Sequence, residues 1–87
     1  GKWSEGLAFL DELLKYYSED ILADDAWFIK GTIYQNHLFD NEKAMECYKE
    51  ILLNHKGSIH ATEARKRFRK LRGESTEEDS FEREDSL

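Results

Sequence analysis

Proline is absent from these 87 residues, and there is one cysteine and one methionine. Without proline, no helix along the chain is forced to break at a missing backbone donor. A single cysteine excludes an internal disulfide and leaves the redox compartment open. No apolar run reaches the 18 or so residues that a membrane-spanning helix needs. No charged-then-apolar stretch reads as a signal peptide either. Alternation of apolar and polar residues is too short everywhere for a convincing strand. Also missing are a glycine-rich phosphate loop, a Gly-x-Ser-x-Gly elbow, and a cysteine with a positioned histidine. His37, His55 and His60 are scattered over helix ends. His55 and His60 straddle Gly57, so they do not form the i, i+4 face that binds zinc. The carboxylates lie on solvated helix faces, with no pocket to perturb them. These absences argue against an enzyme and imply no catalytic residue, no cofactor and no metal.

What is present is charge, unevenly placed. The net charge is −6, yet residues 65–72 hold six Lys/Arg and no acid. Residues 1–64 carry 6 basic and 12 acidic groups, and residues 73–87 carry 1 basic and 7 acidic. A cationic helix therefore lies between two acidic stretches. A chain of this length forms one small domain, burying roughly 60–65% of its unfolded surface. Its amphipathic pattern begins directly after Gly1, as expected for a domain cut from something longer.

Apolar spacing of three and four residues predicts four helices, over about 4–17, 24–37, 41–55 and 59–72. The first stripe is Trp3, Leu7, Leu10, Leu13, Leu14 and Tyr17, and the second Trp27, Gly31, Tyr34 and Leu38. The third is Ala44, Cys47, Tyr48, Ile51, Leu52 and His55, where Cys47 serves as a small buried apolar group. The fourth is Ala61, Ala64, Phe68 and Leu71. Asp24 and Asp25 suit the positive end of the second helix, and Asp40 can cap the third. Gly57 is expected to stop that helix, Ser58 to cap the next and Gly73 to close it. The connections are a few residues long, so successive helices run antiparallel. The helical domain accordingly spans 1–73. Residues 74–87 form an acidic tail that is either disordered or a short docked helix anchored by Phe81. Ser75-x-x-Glu78 and Thr76-x-x-Asp79 supply capping-box patterns for the second option.

Residues 6–26 read again at 44–64 with an offset of 38. Glu12 falls on Glu50, Leu14 on Leu52, Ile21 on Ile59, Ala23 on Ala61 and Ala26 on Ala64. A period in this range marks stacked helical units that bury their apolar faces against neighbours. The second and third helices together resemble one repeat of the tetratricopeptide family. Trp27, Gly31 and Tyr34 match its first helix, and Ala44, Tyr48 and Ile51 its second. Gly31 and Ala44 are small where the two helices should cross closely. The chain departs from the family at Lys30, which stands where Leu is usual, and at Lys56, which replaces the terminal proline. The resemblance implies an all-α, antiparallel helical repeat, a tetratricopeptide-like α-solenoid. One complete repeat is flanked by two halves at the end of a longer array. The stretch from Asp24 to Gly73 also resembles the closing segment of long tetratricopeptide proteins of the bacterial cell envelope. That resemblance leans towards the envelope or periplasm, with the cytoplasm left open.

Three surfaces follow. By the family's register, Phe28, Thr32, Gln35 and Asn36 with Glu63, Lys66 and Lys70 would line a groove for a protein or peptide partner. Gln and Asn can pair with a peptide backbone, and two Lys residues one turn apart can hold a carboxylate. Arg65, Arg69 and Arg72 belong to a basic run that offers an alternative anion or nucleic-acid contact. The acidity of the whole chain and the lack of an aromatic platform argue against nucleic acid; a third reading is a structural cap without a ligand. Last, Trp3, Leu7 and Leu10 form a candidate homodimer face, because the helix that should precede them is missing.

Overall fold

The computed structural model describes residues 1–18 and 21–76. They form four helices: α1 (Lys2–Tyr16), α2 (Ile21–Asn36), α3 (Asn41–Asn54) and α4 (Ala61–Thr76). The described residues contain no strand. Each helix packs mainly on its neighbour in sequence, in a body of 38 × 29 × 14 Å. No helix among them is long and apolar enough to cross a membrane.

The ends of α1 at Tyr16 and α3 at Asn54 keep the 38-residue spacing, while the starts of α1 and α3 are 39 residues apart and both boundaries of α2 and α4 are 40 apart. Equivalent positions share an environment, with Ala26 and Ala64 both buried, as are Leu10 and Tyr48. The core has two parts. Ala44, Tyr48, Ile51, Ala64 and Leu71 form the larger, into which Trp27, Phe28, Tyr34 and Phe68 also pack. Leu10, Ala26 and Ile33 form the smaller, covered by Leu7, Leu13 and Leu14. Tyr48, Ile51 and Leu71 are the largest fully buried side chains; each contributes roughly 1.5–3 kcal/mol by leaving water. The middle helix α2 serves both clusters, which is why its apolar residues do not fall on a single stripe.

Several boundaries differ from the sequence reading, for local reasons. Asp40 does cap α3, its carboxylate accepting from the Lys43 N–H at 3.1 Å. Gly57 does not end α3 with a left-handed turn. The helix stops at Asn54, the His55 N–H returns to the Ile51 carbonyl, and no described glycine has a positive φ. Ser58 acts before α4 rather than as its cap: its hydroxyl accepts from the His60 N–H at 3.0 Å. Gly73 does not close α4, which runs on to Thr76. A glycine without a left-handed conformation costs a helix about 1 kcal/mol but does not stop it. The helical domain therefore runs past 73, taking in the first three residues of the expected 74–87 tail, and residues 77–87 lie outside the described residues. The left-handed position is instead Phe39 (φ 55°), in the α2–α3 turn. Leu38, assigned to the α2 stripe, lies in that turn too and is exposed.

Asp24 and Asp25 reach beyond their own helix. The Asp24 carboxylate lies 2.8 Å from His55 Nδ1, and that of Asp25 lies 2.7 Å from His60 Nε2. The start of α2 thereby holds both sides of the α3–α4 connection.

Lys30 is held closely between α1 and α2. Its side chain is only 13% exposed, its Nζ lies 2.6 Å from Asp11 of α1, and it sits 4.7 Å over the Trp27 ring. The ammonium thus ties α1 to α2 from a largely dehydrated position. Truncating Asp11 to alanine removes the partner and should cost about 1 kcal/mol. Lys30→Leu removes the charge and keeps the volume, so its urea midpoint should match or exceed that of the parent. A midpoint well below the parent would show that the ion pair itself is net stabilising.

The candidate dimer face is partly covered. Leu10 is buried, Leu7 covers it, and the Trp3 ring stacks on His37 at 3.9 Å. Leu7 and Leu10 spend their apolar surface on α2, whereas Trp3 stacks on its C-terminal turn and stays 37% exposed. Beside it, the large apolar residues that α1 leaves most open to solvent are Phe9 and Tyr16, 67% and 68% exposed and two turns apart.

Candidate functional site

Between α2 and α4 lies an open pocket of about 440 Å³, lined by Gln35, Asn36, Glu63, Lys66, Arg67 and Lys70. The two helices are not consecutive; α3 packs behind both and sets their separation. Five of the seven expected groove residues, Gln35, Asn36, Glu63, Lys66 and Lys70, meet here. Lys66 is 73% exposed on its side chain, and Asn36 and Lys70 are exposed too. Three cations face one carboxylate, so the pocket favours an anionic or carbonyl-bearing group.

Phe28 and Thr32 do not line the pocket; they support it. The Phe28 ring stacks on His60 with centroids 4.5 Å apart and 9° between planes. The Thr32 hydroxyl donates to the Phe28 carbonyl at 3.0 Å. Both contacts consume groups that the sequence reading offered to a partner. Gln35 is partly consumed as well, since its Oε1 accepts from the Tyr48 hydroxyl at 2.7 Å.

The residue that organises the site is Arg67, which sequence reasoning placed only within the basic run. Its Nε donates to Glu63 at 3.0 Å, and one terminal nitrogen donates to Thr32 Oγ1 at 3.0 Å and to the Tyr48 hydroxyl at 3.1 Å. The guanidinium also lies 4.7 Å over the Phe28 ring. Its pKa is raised: partial burial works against the charge, and the bonds to Tyr48 and Glu63 outweigh it. Arg67 thus joins α2, α3 and α4 at the pocket floor. The Glu63–Arg67 spacing of four was the available signal for it, because such pairs meet on a helix surface.

The basic run is divided by helical geometry. At 100° per residue, Lys66, Arg67 and Lys70 fall on the pocket side together with Glu63. Arg65, Arg69 and Arg72 fall on the opposite side, where Arg72 lies 5.8 Å over the Phe68 ring. Six cations in sequence therefore make two separate patches of three.

Gly31 fixes how closely α2 meets α3. A Cβ there would lie 2.5, 2.9 and 3.0 Å from three carbons of the Tyr48 ring. The sequence reading expected Gly31 and Ala44 to be small at this crossing, with Trp27, Tyr34 and Tyr48 filling the space around them; at Gly31 it is the Tyr48 ring that does so.

Cys47 is buried, and its thiol is pushed up to about 11, first by burial, with Lys30 acting in the opposite sense. A native sample should therefore resist thiol reagents at neutral pH and react only after unfolding. The unfolded chain ionises this thiol near 9.0, while the native chain holds it neutral to about 11. Stability is therefore unaffected below pH 9 and falls as pH rises from there to 11. Ellman titration with and without urea checks the first expectation, and urea melts across that window check the second.

No three His, Cys, Asp or Glu among the described residues converge to hold a metal ion. No family model, curated protein or solved structure matches this chain.

Proposed function

We propose that this chain is a tetratricopeptide-like, non-enzymatic interaction module that takes an extended segment of a protein partner between α2 and α4. The single observation behind this reading is the α2–α4 pocket, where Asn36, Lys66 and Lys70 stand exposed over a floor fixed by Arg67, Tyr48 and Gln35. Asn36 can pair with a peptide backbone, and the two lysines, one turn apart, favour a carboxylate. In this reading α2 and α3 form one repeat, α1 stands as the second helix of a preceding unit and α4 as the first helix of a following one. The recurrence of buried Ala26 at Ala64 supports that stacking. Rigid support below and adaptable polar groups above suit recognition better than catalysis.

The test is a screen of random extended peptides against the full chain, followed by anisotropy titration of those selected. Asn36→Ala and Lys66→Ala/Lys70→Ala should each weaken binding about tenfold, the effect of losing one good polar contact of about 1.4 kcal/mol. Gln35 is a poor probe because its truncation also strips Tyr48 of an acceptor. Selected peptides that ignore these changes and respond only to Arg65→Glu or Arg69→Glu would move the binding surface to the other face of α4. That outcome would favour the anion-contact reading.

A further inference from the structure

On the far side of α4 lies a second, smaller groove of about 250 Å³, with Met45 and Phe68 as its apolar walls and Glu42, Glu46 and Lys49 on its rim. That volume falls below the roughly 300–1,000 Å³ of small-molecule pockets, and suits one large side chain. We propose that the occupant is Phe81 of this same chain, brought there by the C-terminal segment folding back along α4.

Three observations point to it. Residues 77–87 continue directly from α4, the helix that carries Phe68, and their only apolar members are Phe81 and Leu87. The reach is sufficient. Phe68 lies eight residues before the end of α4, about 12 Å at the helical rise. Five residues of extended chain from Thr76 to Phe81 span up to about 16 Å. Charge agrees as well. Six of the eleven residues 77–87 are acidic, and Arg65, Arg69 and Arg72 share the α4 face that bears Phe68. Glu42, Glu46 and Lys49 all stand on the α3 wall of the groove, where the two carboxylates repel the segment, while the arginines attract it from the α4 side. The segment therefore approaches from the arginine side with Phe81 turned inward. Leu87 is too far along the chain to be the first anchor. This docking is independent of the α2–α4 pocket and would close the exposed end of the larger core cluster.

The chain's single methionine supplies the probe, because its ε-methyl gives one NMR resonance and Met45 is a wall of the groove. In the full chain, Phe81→Ala should shift that resonance and lower the melting temperature. Phe81→Leu should shift the resonance, through loss of the ring, while keeping most of the melting temperature. An ε-methyl position unchanged by both substitutions overturns the proposal. So does a shift that disappears on dilution, which would place a second copy's tail in the groove. A concentration-independent shift, abolished by Phe81→Ala, supports docking within one chain.

Discussion

Gly31→Ala should lower the melting temperature by roughly 5–15 °C, although alanine is the better helix former. The added methyl would meet a Tyr48 ring carbon at 2.5 Å, with two more at 2.9 and 3.0 Å. Tyr48 cannot swing away, since it is fully buried and its hydroxyl is held by Gln35 and Arg67. Overpacking of this kind costs about 1–3 kcal/mol. The helix-propensity gain returns up to about 1 kcal/mol, leaving a net loss of about 1–2. For a domain of this size each kcal/mol shifts the midpoint by roughly 4–8 °C. Thermal melts followed by far-UV circular dichroism measure it directly. An unchanged or higher midpoint would mean that α2 and α3 can separate freely at this crossing, and the pocket floor would lose its rigid support.

Arg67→Ala should cost about 2 kcal/mol, whereas its neighbour Lys66→Ala should stay within about 0.5 kcal/mol. The two residues are adjacent and carry the same charge, so only their contacts separate them. Arg67 bonds to side chains on all three helices around the pocket. Lys66 lies 4.0 Å from Glu63 and is otherwise in water. Removing the guanidinium strips Thr32 of a donor and uncovers the Phe28 ring, while Tyr48 keeps Gln35. A double-mutant cycle with Tyr48→Phe should return a coupling of about 0.5–1.5 kcal/mol. Zero coupling would reduce Arg67 to an ordinary surface cation and leave the pocket floor without its organiser.

The two residues illustrate what was readable from sequence and what was not. Four helices and the inward stripes of α3 and α4 followed from periodicity, because burial of one face imposes a countable spacing. The α2 stripe included exposed Leu38 and missed buried Ala23, Ala26 and Ile33, because α2 packs on two sides. The Asp40 cap was readable for a similar reason, since its partner N–H lies three residues along the same chain. The lining of the α2–α4 pocket by Gln35, Asn36, Lys66 and Lys70 was reached through register. Arg67 was not separated from its neighbours, and Phe28 and Thr32 were assigned to a partner when they serve the interior. In each case the deciding contact joins residues far apart in sequence: Arg67 with Thr32 is a contact across 35 positions. The histidines were likewise seen as scattered, although Asp24 and Asp25 gather two of them around one connection. Leu7 and Leu10 looked uncovered because amphipathicity shows that a face needs a partner without saying which partner has it.

The sequence alone therefore determined the all-helical character and the four helices of the described residues, together with the 38-residue period of the sequence, all consequences of local spacing. The tertiary structure decided which charges pair, how the basic run divides into two patches, and which exposed residues remain for a ligand. Those outcomes depend on the angle and separation at which α2, α3 and α4 meet. That geometry is set by side-chain volume at the crossings, by Gly31 against Tyr48 above all, and no periodicity records it.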